Sequence, residues 1–172
     1  MCLAANPAAS TPTPNPAATS TLQIAGDLPR TGTLTQKELE QLGPTTAHWK
    51  EHGADHDVVG VPLDKVLAHF GFEPGPMGKD TPKSEKRRGW KMVVVASAPD
   101  GFQAVFSCAE LTESMGPSRV LVVWSVDGKP LPEDTGPFRL VALTDQEPSR
   151  SLYHLARIDV VDMRKVVKVA AP

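Results

Sequence analysis

Aromatic side chains are scarce in this chain: one Tyr, three Trp and five Phe stand against 17 Pro and 13 Gly. That balance disfavours a few long elements and points to many short ones joined by turns. Cysteine is nearly missing as well. Cys2 and Cys108 are the only two thiols, too few for the framework of a disulfide scaffold. No apolar run approaches the ~20 residues needed to span a bilayer as a helix, so no transmembrane segment is expected. The net charge of −2 lacks the field that draws a protein to nucleic acid or acidic membranes, and nucleic acid is not expected as a partner. A nucleophile elbow, a phosphate-binding Walker loop, a dinucleotide fingerprint and a paired-carboxylate motif are all absent.

Charge is also missing from the beginning of the chain, where Asp27 is the first charged side chain. Residues 2–20 read CLAANPAASTPTPNPAATS. Ala, Pro, Ser and Thr at this density cannot bury a core, so residues 1–20 are expected to form a loose tail or linker ahead of a single domain over 21–172. Such a segment commonly follows an export signal. It admits two readings: a trimmed start, or a lipid anchor at Cys2 with a tether behind it. Both place the protein in the periplasm or otherwise outside the cytoplasm.

What is present is a series of short periodic segments. TLQIAGDLP alternates as a strand. TLTQKELEQLG spaces Thr35 and Glu38 as a capping box and ends at Gly43-Pro44, which predicts a compact helix with Leu39 and Leu42 inward. TTAHWKEHGADHDVVGV suits two strands around a turn at Gly53-Ala54. Leu63, Val66, Leu67 and Phe70 recur at helical spacing after Pro62, and Gly71 ends that helix. Glu73 to Gly89 reads as a charged loop. KMVVVASA, PDG and FQAVF predict a hairpin, and SCAEL a short helix with Ser107 and Glu110 as its capping pair. RVLVVWSV, FRLVAL and LARIDVV add further strands. Many strands with two or three short helices predict a β-rich α+β fold.

Four segments together, VGVPLDKVLAHFGF, VVVASAPDGFQAVFSCAEL, LVVWSVDGKPLPEDTGPFRLVAL and SRSLYHLARIDV, resemble the molybdopterin-binding domain of the sulfite oxidase family, and more closely its short single-domain bacterial members. The resemblance runs from about Leu22 to Val160. It implies that family's β-rich mixed fold and a molybdopterin cofactor. In catalytic members the metal is held by the two pterin sulfurs, oxo groups and one cysteine thiolate, and performs oxygen-atom transfer; a soft thiolate suits that chemistry. Their ligand cysteine lies between the first helix and the GVPL-type turn. Here that interval, Thr45 to Val59, holds no cysteine, and the Arg-rich motif that follows the ligand is missing too. Cys108 falls where relatives carry an apolar residue, which reads as a packing position.

The resemblance also implies that Ser149, Arg150 and His154 correspond to the segment that helps hold the pterin phosphate. An Arg fork and Ser hydroxyls suit that task, although Arg150 could instead pair with Asp145 or Glu147. His48 stands near the expected ligand position, with Trp49 beside it. If residues 53–55 turn a hairpin, His52 and His56 come opposite each other and could bind zinc, copper or nickel, adventitiously or not. The basic run Lys79, Lys83, Lys86, Arg87 and Arg88 reads as a solvated loop. Two functions follow as expectations. One is a molybdopterin-binding oxidoreductase-like domain, its catalysis in question for want of the cysteine, with a pterin or another small anion as ligand. The other is a cofactor-free exported binding module that keeps the fold, with Trp49 or Trp124 plugging the cleft.

Overall fold

The computed structural model describes residues 20–72, 90–112 and 119–167. The Cys2 tail and the basic run after Glu73 lie outside them. Two five-stranded sheets face each other across one main core. The first has the order β2-β1-β10-β5-β6, built from β1 (Thr21–Gly26), β2 (Gly32–Thr35), β5 (Met92–Ser97), β6 (Gln103–Ser107) and β10 (Arg157–Asp162). Its strands alternate as a half-buried sheet should: Leu22, Ile24, Val94, Ala96, Phe106, Ile158 and Val160 all point inward. β1 and β10 run parallel, Gln23 opposite Arg157, while the other pairs are antiparallel.

The second sheet runs β3 (Thr45–Glu51), β4 (Ala54–Pro62), β7 (Val120–Val126), with β8 (Lys129–Pro130) and β9 (Arg139–Ala142) both on the far edge of β7. Val120 to Trp124 are buried on both faces. Val120, Val122 and Trp124 enter the main core, whereas Leu121 and Val123 join a second cluster with Trp49, Val58 and Val141 on the opposite face. β4 and β7 slip register at Val59/Gly60. Only glycine fits there, because a Cβ on Gly60 would lie 2.4 Å from the Val122 carbonyl oxygen.

Among the described residues three short α-helices complete the α+β fold: α1 (Gln36–Glu40), α2 (Leu63–His69) and α3 (Met163–Val166). The capping box expected at the first is present, the Thr35 hydroxyl accepting from the Glu38 N–H and the Glu38 carboxylate accepting from the Thr35 N–H. In α2, Leu63, Val66 and Leu67 fill the predicted apolar face. SCAEL differs from expectation. Ser107 ends β6 and a turn follows, although the Ser107 N–H still donates to Glu110 Oε1 at 2.7 Å and the Ala109 N–H to the Ser107 hydroxyl. The capping bonds form, the Cys108 N–H donates to the Met92 carbonyl across the sheet, and residues 108–111 are a turn.

Candidate functional site

The β3–β4 hairpin turns one residue earlier than the sequence suggested. Glu51 pairs with Ala54, leaving His52 (φ 47°) and Gly53 (φ 87°) as a two-residue left-handed turn. Gly53 takes the second left-handed position at no steric cost, and this fixes the register. His56 therefore lies opposite Trp49, not His52. Its Nδ1 bonds Asp127 Oδ2 at 2.8 Å. The expected His52/His56 pair is thus not brought together, and among the described residues no three His, Cys, Asp or Glu side chains are placed to hold a metal. His48 is corrected too. It is paired with Asp57 on an exposed face of the hairpin, its ring 92% exposed, while Trp49, one residue on, points to the opposite face and is buried.

On Trp49's face of the second sheet, three charged and aromatic groups meet that the sequence reading did not single out together. Arg139, in the otherwise apolar β9, is 4% exposed. Its Nη1 donates to Glu51 Oε2 at 3.1 Å and its Nη2 to Glu51 Oε1, a two-pronged ion pair across 88 residues of chain. The Arg139 guanidinium lies 4.4 Å from the Trp49 ring centre and 4.0 Å from that of Tyr153. The Tyr153 hydroxyl donates to Glu51 Oε1 at 2.9 Å. Burial alone would push the Glu51 carboxyl up, but the bonds from Arg139 and Tyr153 outweigh it and hold the group below its ordinary value. Arg139 Nε is the one buried side-chain polar atom without a partner among the described residues.

These groups form one wall of an open cleft of about 500 Å³, closed on other sides by Ala98, Asp100 and Phe102 from the β5–β6 turn and by Glu147, Pro148, Ser149, Ser151 and Leu152. Ser149 and Ser151 line it; the Ser151 hydroxyl also accepts from the Ala142 N–H. Arg150 does not line it. Its Nε and Nη2 donate to Asp145 at 2.8 and 2.7 Å, its Nη1 reaches Glu110 at 3.3 Å, and its guanidinium lies 4.6 Å from the centre of the Phe106 ring. His154 turns its Nδ1 to the Gly136 carbonyl at 2.5 Å. Arg139 is therefore the only Arg or Lys among the described residues that line the cleft, facing Asp100 and Glu147 besides its own partner. Cys108 is in the main core with no exposed surface, and burial pushes its thiol up to about 12. A sulfur so placed is a packing group, not a thiolate ligand.

The family model for the oxidoreductase molybdopterin binding domain matches residues 36–166. The chain belongs to this family. Among solved structures, this molybdopterin-binding-domain relative superposes on the sulfane dehydrogenase SoxCD from Paracoccus pantotrophus with a TM-score of 0.61 at 18% identity, covering 83% of this chain and 38% of that one. The likeness is one of fold, and the chain spans well under half the length of that protein. No curated protein matches it.

The family's cofactor can be set against these residues. Molybdopterin brings a phosphate, two sulfurs and a metal that asks for a thiolate. The Thr45–Val59 interval supplies no thiol and Cys108 is sealed in the core. Arg150 is held by two carboxylates and Arg139 by a third, while Asp100 and Glu147 add negative charge to the walls. Among the described residues, those of this cleft do not fit the group.

Arg139 had a signal in the sequence. A charge inside FRLVA, on a strand with apolar neighbours, must find a partner when buried. Glu51 carried no such signal, because it belongs to a polar hairpin and its partner is remote in sequence.

Proposed function

We propose that this domain is a member of the molybdopterin-binding family that works as a cofactor-free binding module, without molybdenum oxygen-atom transfer. The observation carrying this reading is the Glu51–Arg139 ion pair clamped between Trp49 and Tyr153. Among the described residues that line the cleft, it consumes the one Arg or Lys that could grip an anionic cofactor. An extracytoplasmic setting belongs to the same proposal and is supported by the composition of residues 2–20.

The cleft remains open, with Phe102 and Tyr153 each more than two-fifths exposed at its rim. Exposed rings beside carboxylates suit a neutral or cationic organic ligand better than a phosphate-bearing one. The test is elemental analysis of the protein purified from a molybdenum-replete, cofactor-competent host. Molybdenum below about a twentieth of an atom per chain is expected, since a site lacking its thiolate and its phosphate grip retains little metal through purification. Near-stoichiometric molybdenum would overturn the proposal.

A further inference from the structure

We propose that Glu51 acts as a built-in substitute for an oxyanion, and that Arg139 is a latent oxyanion-binding site which Glu51 keeps closed. This rests on the cleft geometry given above and names the residue that decides which ligands the cleft rejects. A guanidinium presents a planar fork that matches a carboxylate or a phosphate equally well. Here both prongs are taken by the two Glu51 oxygens, and the Tyr153 hydroxyl supplies a third donor to the same carboxylate. Three donors converging on one oxyanion make a complete small receptor, and its occupant is covalently part of the chain.

The receptor is also rigid on the cation's side. Trp49 and Tyr153 stack against the guanidinium, which fixes its plane, and Arg139 is anchored in the β9 ladder opposite Val123. Glu51, by contrast, is the last residue of its strand and adjoins the two-residue turn at His52-Gly53. Its carboxylate is delivered from a hairpin tip and can be removed without disturbing the main core, to which it contributes nothing. Arg139 is left with a strong demand for an anion once the carboxylate is gone, because it is buried and its Nε already lacks a partner. Asp100 and Glu147 line the same cleft and will hold the affinity of any external anion down.

The experiment compares wild-type protein with Glu51→Gln and Glu51→Ala, each titrated with inorganic phosphate against sodium chloride of equal ionic strength. Binding is read from Trp fluorescence and amide shifts, and from the midpoint of thermal unfolding. Phosphate is expected to leave the wild type unchanged, to bind Glu51→Gln on the order of tenfold more tightly than the wild type, and to raise the unfolding midpoint of Glu51→Ala. Adding Arg139→Met to Glu51→Gln is expected to abolish the gain. Glu51→Gln keeps the size and one acceptor oxygen, so it decides the matter even if Glu51→Ala does not fold. The proposal is overturned by wild-type phosphate binding of equal strength, by no gain in Glu51→Gln, or by a gain that survives Arg139→Met. Molybdenum in the wild-type protein would overturn the cofactor-free function, whereas the phosphate titration tests Glu51 on metal-free protein and fails separately.

Discussion

Arg139→Ala is expected to destabilise the domain by about 3–5 kcal/mol, the usual cost of removing one partner of a buried ion pair. The substitution leaves the Glu51 carboxylate, 16% exposed, with only the Tyr153 hydroxyl as donor, and strips both rings of the cation between them. The double variant Glu51→Leu with Arg139→Met removes both charges and keeps the apolar bulk. It is expected to lie within about 1–2 kcal/mol of the wild type, since paired charges and well-packed apolar replacements often come out nearly level. Equilibrium denaturation of the two variants checks both values. Equal destabilisation of single and double variants would mean that packing, not charge compensation, is what Arg139 supplies.

Phe106→Ala is expected to lose about 3–5 kcal/mol, as large-to-small changes in closed cores do. Phe106 is fully buried on β6, the edge strand of the first sheet, and the Arg150 guanidinium lies over its ring. Its loss would open a cavity beneath the segment that also carries Ser149 and Ser151. For a domain of this size the thermal midpoint should fall by roughly 6–20 °C. A loss below about 1 kcal/mol would show that the strand collapses onto the gap.

Local signals were the legible ones. The Thr35–Glu38 capping box, the apolar stripe from Leu63 to Phe70 and the turn at Pro99-Asp100-Gly101 each depend on neighbours in sequence, and each stands as read. Cys108 was also legible, as a small apolar thiol in an apolar setting. What escaped depends on distant partners. β2 exists because it pairs with β1, and β1 runs parallel to a strand more than 130 residues away. SCAEL satisfies a helix-start pattern, yet it follows a strand paired to β5 and its described residues 108–111 form a turn. Among the candidate site residues, Ser149 alone lines the cleft together with His52; Arg150 and His154 turn to internal partners, and His48 faces solvent. Arg150 pins its loop through Asp145, a partner the sequence offered five residues away, while the added contact to Glu110, 40 residues away, was not legible.

Arg139 is satisfied from within by Glu51, and the titration of the Glu51 side-chain carboxyl by NMR measures that directly. A carboxyl held down by its ion pair contributes stability at pH values above its unfolded midpoint, and that contribution is lost as pH falls through the depressed folded one. The expected result is a Glu51 midpoint below the ordinary 4.5, returning to or above that value when Arg139 is replaced by Met. A Glu51 midpoint at 4.5 or higher in the wild type would mean that the guanidinium is free to bind something else, and the cleft would have to be read as an open anion site.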